Sequence, residues 1–269
     1  MRQQTSLARH LASAAVAAIL AAGLGGCQTT SDITGSVSPP AAASPDADAR
    51  RSVEVLGERY RAHPKDPEAA LAYGQALRAS GQHAQAAAVL EQATIAHPGN
   101  KALLGGYGRA LVDNGNFQQG FDILARAHSP DNPDWRILSV QGTALDQLGR
   151  HDEARRYYAS ALKIVPDEPS VLSNLGLSYV LSRDLPKAEE TLRRAYANAR
   201  ADSRVRQNLG LVVGLQGRFA EAESIVQADL PPDQAAANVA YLKQMLKAKE
   251  NPRAGAPVPS PVASISHPD

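Results

Sequence analysis

The sequence predicts an all-α fold in which two-helix hairpins stack side by side into a solenoid. The clearest hairpin is the segment 135–168, where apolar and small residues return every three or four positions in two successive runs, as they do on one face of a helix. Gly149 separates the two runs where a helix typically ends, and Pro166 ends the second run. The same arrangement recurs every 34 residues over most of the chain, which is typical of repeat architectures.

The strongest sign of the repeat is a glycine that recurs in one register. These glycines, each 34 residues from the next, are Gly74, Gly108, Gly142, Gly176 and Gly210. A glycine inside a helix costs about 1 kcal/mol relative to alanine, so its recurrence indicates a close crossing of two helices that favours a residue without a side chain. An irregular helical bundle, the alternative, would have to place all five glycines in one register by chance.

Small residues at two further positions support the same register. Twelve residues after each glycine stand Ala86, Gly120, Ala154, Ala188 and Ala222. Nineteen residues after it stand Ala93, Ala127, Ala161 and Ala195, with Asp229 as the exception. This pattern resembles the tetratricopeptide repeat, with Gly at position 8, Ala at 20 and 27, and a large apolar residue at 24. The resemblance covers five repeats over residues 67–236. It implies a right-handed superhelical solenoid that serves as a protein-interaction scaffold.

One further helix is predicted at each end of the repeats, so that the solenoid spans residues 46–250. Residues 46–64 match the second half of an earlier repeat, and residues 232–250 form an amphipathic helix. Both are expected to cap the array, because terminal units of a solenoid need a polar outer face. Residues 251–269 are rich in proline and lack an apolar period, and are predicted to be a disordered tail.

The first 26 residues read as a secretory signal peptide. A basic start precedes an apolar run that is too short for a membrane span. The run ends in Leu-Gly-Gly-Cys, which resembles the lipobox of bacterial lipoproteins, so Cys27, the only cysteine, is predicted to carry acyl chains such as palmitate. The alternative is a signal peptide cut near Gly26 that leaves a free thiol. Residues 27–45 would then be the lipidated cysteine and a disordered linker.

The residue after the cysteine bears on the location of the protein. Gln28 rather than Asp stands there, and by resemblance to the enterobacterial sorting rule this indicates the outer membrane. A short linker after the lipid would hold the solenoid close to the bilayer. We therefore expect a lipid-anchored protein on the periplasmic face of the outer membrane.

Motifs that carry catalytic chemistry are missing from the sequence. The histidines lack the spacing of a zinc site, and no phosphate-binding loop, dinucleotide fingerprint or nucleophile motif occurs. The 28 Lys and Arg residues nearly balance the 27 Asp and Glu residues, without a basic stripe for nucleic acid. We therefore expect a protein that is not an enzyme, that has no metal or cofactor, and that binds neither nucleic acid nor a small-molecule substrate.

The candidate binding surface is the concave groove that the first helices line in this family. By resemblance, positions 2, 5, 6, 9, 12 and 13 of each repeat face it. In repeats four and five they place two asparagines among leucines, in a set that we call the apolar trough: Asn174, Leu177, Leu181, Asn208, Leu211 and Leu215. An amide both donates and accepts, which suits the backbone of a bound peptide, and leucines would shelter those bonds from water. The alternative is that the C-terminal helix covers the trough and the leucines are core.

Repeats one to three place a mixed polar wall at the same positions, including Gln75, Arg109, Arg136 and Asp146. Such a wall is compatible with ordinary solvated surface. Some tetratricopeptide co-chaperones hold a C-terminal carboxylate with a basic clamp. The matching positions in the first repeat are Leu71 and Gln75, which disfavours that ligand class.

At the level of the whole chain, the lipobox, the short linker and the five repeats resemble the TadD-type lipoproteins of tight-adherence (Flp) pilus assembly. The resemblance implies an accessory role in assembling or localising the pilus secretion machinery, with the secretin or another envelope protein as partner. The alternatives are a repeat lipoprotein that regulates cell-wall enzymes or envelope biogenesis by docking partner proteins, and an unrecognised enzyme.

Overall fold

The computed structural model describes residues 45–250 except residue 130, and all its regular elements are helices. The predicted signal peptide, Cys27, almost all of the linker and the tail lie outside the described residues. The helices, numbered in chain order, are α1 (Pro45–Ala62), α2 (Pro67–Ala79), α3 (His83–Ala96), α4 (Lys101–Asp113), α5 (Phe117–Ala127), α6 (Trp135–Gln147), α7 (His151–Ile164), α8 (Pro169–Leu181), α9 (Leu185–Tyr196), α10 (Ser203–Leu215), α11 (Phe219–Val226) and α12 (Pro232–Glu250).

The helices pair into five hairpins that stack in chain order. Within a repeat the two helices pack on each other, and the second helix also packs on the first helix of the next repeat. The first helices α2, α4, α6, α8 and α10 additionally contact one another in succession. The apolar face of each hairpin is therefore buried only against its neighbours, as in other solenoids. The predicted all-α solenoid is confirmed.

The helix starts follow from local capping chemistry. Asp66, Asn100, Asp134 and Asp202 each precede a first helix, and their side chains accept hydrogen bonds from backbone N–H groups of its first turn. Those N–H groups have no partner within the helix, so a side-chain oxygen at this position stabilises the helix start by about 1 kcal/mol.

The recurring glycines lie where the two helices of a hairpin cross, as predicted. A Cβ added at Gly74 would stand 2.6 Å from Leu90 Cγ, far inside van der Waals contact. The other four glycines give the same distance of 2.6 Å to the side chain sixteen residues later, and these side chains are Leu124, Tyr158, Leu192 and Val226. The repeat keeps glycine because a large apolar residue from the second helix fills the space that a side chain would need.

The turn inside each hairpin requires a left-handed residue. Gly149 has φ 77°, its N–H donates to Asp146 O at 3.0 Å, and Arg150 N–H donates to Leu145 O at 2.9 Å. This Schellman motif satisfies carbonyls at the end of α6. In repeat four the turn residue is Arg183, with φ 64°, although the left-handed conformation disfavours any residue with a Cβ.

The C-terminal helix α12 packs against α10 and α11, as the first helix of another repeat would. Leu242 is buried there, and a Cβ at Gly214 would lie 2.5 Å from Leu242 Cδ2. Among the described helices, none is long and apolar enough to cross a membrane.

Candidate functional site

Four of the six trough residues form a partly exposed apolar surface. Leu177 and Leu181 lie on α8, and Leu211 and Leu215 lie at the matching positions of α10; all four are half-buried. The helices α8 and α10 contact each other, so the four leucines lie on neighbouring inner helices. That these leucines bind a partner stays a prediction.

The two asparagines differ in a way that the sequence does not show. Asn174 is half-buried, and its Nδ2 donates to Ser139 Oγ of the preceding repeat at 3.1 Å. Asn208 is only 2% exposed, and its Nδ2 donates to the buried Ser173 Oγ at 2.8 Å. The expectation that Asn208 stands open in the trough is therefore wrong. Stacking of repeat five on repeat four commits this side chain to a buried contact between repeats.

The C-terminal helix packs near the far end of the trough, at Leu215. Val239 of α12 and Leu215 both pack against the buried cluster that includes Val213 and Ala222. The contacts of α12 are made with α10 and α11, the two helices of the last repeat. At Leu215 the packing therefore agrees with the alternative in which the C-terminal helix helps to cover the trough.

A second feature of the groove is a cleft of about 500 Å³ in repeats one to three, which we call the basic cleft. Its lining comes from α2, α4 and α6, from the end of α5 and from the loop between α5 and α6. The residues used below are Leu71, Gln75, Lys101, Gly105, Arg109, His128, Asp134, Trp135, Arg136 and Ile137. Three Lys and Arg side chains line this cleft against a single carboxylate, Asp134. The polar wall of repeats one to three therefore contains a concave site with more positive than negative side chains.

Arg109 is the most unusual side chain of the basic cleft. It is half-buried, and burial lowers the pKa of its guanidinium; the negative charges of Asp134 and Asp113 oppose this shift, and the positive charges of Arg78 and Arg136 add to it. The nearby carboxylate of Asp113 is paired with another arginine, because Arg78 Nε donates to its Oδ2 at 2.7 Å. Among the described residues, the side-chain hydrogen bonds and ion pairs include none to the Arg109 guanidinium.

The other polar groups of the cleft are held by its own elements. Asp134 caps α6, and its Oδ1 accepts from Arg136 N at 2.7 Å. The Arg136 guanidinium lies 4.4 Å from the ring centre of Trp135, a cation–π distance. His128 Nε2 lies 3.1 Å from Gln141 Oε1, and its buried Nδ1 has no hydrogen-bond partner among the described residues.

Asp146, which the sequence placed in the polar wall, is buried. Its carboxylate is 6% exposed and accepts from Tyr158 Oη at 2.9 Å, Ser178 Oγ at 2.8 Å and His151 Nδ1 at 2.9 Å. Burial raises its pKa, and these hydrogen bonds oppose the rise. The assignment to the groove wall is therefore wrong; Asp146 joins α6, α7 and α8. The described residues contain no group of three or more His, Cys, Asp and Glu side chains placed to hold a metal.

Sequence reasoning missed the basic cleft because it compared only the first repeat with a known clamp. Leu71 and Gln75 do line the cleft, but its cations come from repeats two and three. The available signal was the arginine at the groove positions of two successive repeats, Arg109 and Arg136. The lack of a hydrogen-bonded acid for the Arg109 guanidinium, among the described side chains, could not be read from spacing alone.

Solved structures share this fold at low sequence identity. PilW, described as a widely conserved type IV pilus biogenesis factor, is 18% identical with a TM-score of 0.61, over 71% of this chain and 90% of its own. A tetratricopeptide repeat protein of the thermophile Thermus thermophilus is 20% identical with a TM-score of 0.59, over 66% of this chain and 100% of its own. A chain of the Cut9–Hcn1 hetero-tetramer of the APC/C is 16% identical with a TM-score of 0.60, over 74% of this chain and 40% of its own.

This chain therefore spans less than half the length of the Cut9–Hcn1 match, and at these identities the likeness is one of fold. A search of curated proteins found no match. Three family models, each described as tetratricopeptide repeat, match residues 77–141, residues 136–201, and residues 47–101 with 173–238. Because these matched segments run without a gap from residue 47 to residue 238, the chain belongs to the tetratricopeptide repeat proteins.

Proposed function

We propose that the protein is a scaffold for protein–protein interaction that is held at the periplasmic face of the outer membrane by lipid on Cys27. There it helps to assemble or localise the Flp pilus secretion machinery, with the secretin as partner. The repeat family supports the scaffold role. The anchor and the pilus role rest on the resemblance of the lipobox, linker and repeats to the TadD-type lipoproteins, and the PilW match adds a shared fold.

The observation that carries the docking role is the row of half-buried leucines on α8 and α10. The half-buried leucines leave part of their apolar area exposed to water. An apolar helix or extended segment of a partner would bury that area on binding. Asn174 stands beside Leu177 and Leu181 on the same helix. A primary amide has two N–H hydrogens and an acceptor oxygen, so Asn174 can serve Ser139 and still bind a partner backbone.

The proposal is tested by capturing the secretin from membranes with the tethered protein. Leu181→Glu introduces a charge into the trough and is expected to abolish capture and pilus assembly. Ile164→Glu is the matched control, because Ile164 is 41% exposed on the second helix α7, away from the trough. Asn174→Ala with Leu177→Ala is a milder pair, in case Leu181→Glu lowers helicity. Full secretin capture by both trough variants, with folding intact, would overturn the proposal.

A further inference from the structure

We infer that the basic cleft of repeats one to three binds an acidic segment of a partner protein, whose side-chain carboxylates pair with Arg109 and Arg136. The inference rests on the proposed function as a docking scaffold and names the chemistry of a second partner segment. It uses a different surface from the apolar trough, on α2, α4 and α6 rather than on α8 and α10.

The first argument is the state of Arg109. A guanidinium that is partly removed from water loses hydration, and this loss is offset only when a carboxylate or another acceptor takes its N–H groups. Arg109 has lost part of its hydration and has no such acceptor among the described side chains. The planar guanidinium of an arginine donates two parallel N–H bonds to the two oxygens of one carboxylate, so an aspartate or glutamate of a partner would supply the missing acceptor.

The second argument is the charge of the cleft. Lys101, Arg109 and Arg136 oppose the single carboxylate of Asp134, which leaves a net charge of +2 if His128 is neutral. The chain as a whole carries only +1. Asp134 also accepts the N–H that begins α6, so its Oδ1 is committed to the helix start. Positive charge is therefore concentrated in a concavity, where complementary charge steers and orients a partner.

The third argument is the shape and composition of the floor. Gly105 has no side chain, and a Cβ there would meet nothing closer than Ile137 Cδ1 at 3.6 Å. Packing therefore does not require glycine at this position, in contrast to the glycines at the hairpin crossings. Trp135, Leu71 and Ile137 add apolar lining beside the cations. An acidic residue flanked by apolar residues would match both parts of this surface.

The phosphates of a nucleic acid could also pair with the Lys and Arg side chains of the basic cleft, but the surface around the cleft does not favour nucleic-acid binding. Binding along a phosphate backbone needs a stripe of basic residues, whereas Arg78 next to the cleft is neutralised by Asp113 at 2.7 Å. This basic side chain beside the cleft is therefore already paired with an acid. A single-stranded oligonucleotide is included in the test, and Arg109-dependent binding of the oligonucleotide in place of the peptide would overturn the inference.

The test uses the full-length protein in detergent and a short peptide of Glu, Asp and Leu that is blocked at both ends. Trp135 is the only tryptophan of the chain and lines the cleft, so its fluorescence reports binding without a label. We expect the acidic peptide to change Trp135 emission, and its Gln and Asn counterpart to leave it unchanged. Because both ends are blocked, binding would require side-chain carboxylates rather than a C-terminal carboxylate.

Three variants locate the binding. Arg109→Gln is expected to weaken binding of the acidic peptide about 10- to 100-fold, the usual range for a lost charge-assisted pair. Arg109→Lys keeps the charge but loses the fork, so an intermediate loss is expected. Arg156→Gln removes the same charge from an exposed position on α7 and should bind as the wild type does. A structural role for Arg109 would instead lower the melting temperature of Arg109→Gln, which we expect to stay at or above the wild-type value.

The outcomes separate this inference from the proposed function. Peptide binding that is lost in Arg109→Gln and retained in Leu181→Glu supports an acidic ligand in the basic cleft. No binding of the blocked acidic peptide, equal binding of its neutral counterpart, or unchanged binding by Arg109→Gln would each overturn the inference. In those cases trough-dependent capture of the secretin would still stand, because it does not involve the cleft.

Discussion

Gly142 lies against the ring of Tyr158, so closely that a Cβ on Gly142 would stand 2.6 Å from Tyr158 Cε1. The absence of a side chain lets the tyrosine lie across α6, where its hydroxyl reaches the buried carboxylate of Asp146 at 2.9 Å. The same crossing in the other repeats holds a leucine or a valine. Repeat three thus builds a polar junction on a crossing that is purely apolar elsewhere.

The first prediction compares two glycines of the inner helices. Gly142→Ala would force the Tyr158 ring to move, and overpacking of this kind destabilises a protein by about 1 to 3 kcal/mol. Gly105→Ala adds a methyl group at ordinary contact distance, 3.6 Å from Ile137 Cδ1, and should stabilise the helix by about 1 kcal/mol. Urea denaturation followed by circular dichroism measures both changes. Equal effects of the two substitutions would contradict the crossing geometry.

The second prediction concerns the turn of repeat four. Arg183 has φ 64° and is exposed, whereas the four other hairpins have glycine at this turn. Removing the Cβ relieves a conformational cost of about 1 kcal/mol, so Arg183→Gly should raise the free energy of unfolding by that amount. Gly149→Ala is the reciprocal control and should lower it by a similar amount. A destabilised Arg183→Gly variant would show that the arginine makes a compensating contact.

The third prediction concerns the contact between repeats four and five. Asn208→Ala leaves the buried hydroxyl of Ser173 without its donor and should cost about 1 to 3 kcal/mol, whereas the half-buried Asn174→Ala should cost less. A double-mutant cycle of Asn208→Ala with Ser173→Ala should show coupling of at least about 0.5 kcal/mol. Additive effects would mean that the hydrogen bond does not contribute to stability.

The fourth prediction follows from Glu189, whose pKa is held at about 2 by hydrogen bonds from Arg218, Gln216 and Arg193. A carboxyl with a lowered pKa in the folded state contributes stability above its unfolded pKa, near 4.5, and loses it as the pH falls toward 2. The melting temperature of the wild type should therefore exceed that of Glu189→Gln at pH 6, and the difference should shrink on acidification.

Asp146 provides the opposite sign for the same measurement. Burial raises its pKa in the folded state, so its contribution to stability is fully present below the unfolded pKa of 3.8 and is lost as the pH rises through the folded value. The melting temperature of the wild type minus that of Asp146→Asn should therefore decrease from pH 3 to pH 7. A difference that grows over this range would contradict the dominance of burial at Asp146.

The fifth prediction tests the proposed anchor. Cys27→Ser removes the only thiol that can be acylated, so the protein should leave the membrane fraction or accumulate as an unprocessed precursor, and labelled palmitate should not be incorporated. Fractionation followed by immunoblotting measures the location and the size of the protein, and metabolic labelling measures the incorporation of palmitate. Retention of the mature-sized serine variant in the membrane fraction would contradict lipid attachment at this residue.

Local chemistry explains what could be predicted. The apolar period, the turn glycines and the proline and Asp or Asn helix starts act within a few residues, so the hairpins and their spacing follow from the chain itself. The close crossing at Gly142 was also predictable, because a glycine inside a helix carries a cost that only packing offsets. The same register places the four leucines of the trough at matching positions of two successive inner helices.

Burial and charge pairing between repeats could not be predicted in the same way. Asn174 and Asn208 occupy the same repeat position, yet only Asn208 is buried against the preceding repeat. Arg78 and Arg109 both lie on inner helices, yet Asp113 pairs with Arg78, and Arg109 has no acid within hydrogen-bonding reach among the described side chains. These differences depend on which side chains of the neighbouring repeat stand opposite each residue, which is a property of the packed array.

The sequence by itself determined that this chain forms stacked two-helix repeats and where each hairpin turns, because these features depend on periodicity and backbone preference within one repeat. The tertiary structure alone decided that Asp146 and Asn208 are buried, that a cleft opens beside Gly105, and that Arg109 faces it without a partner among the described side chains. Residues about one repeat apart meet only after neighbouring hairpins have stacked, as the bond between Asn208 and Ser173 shows.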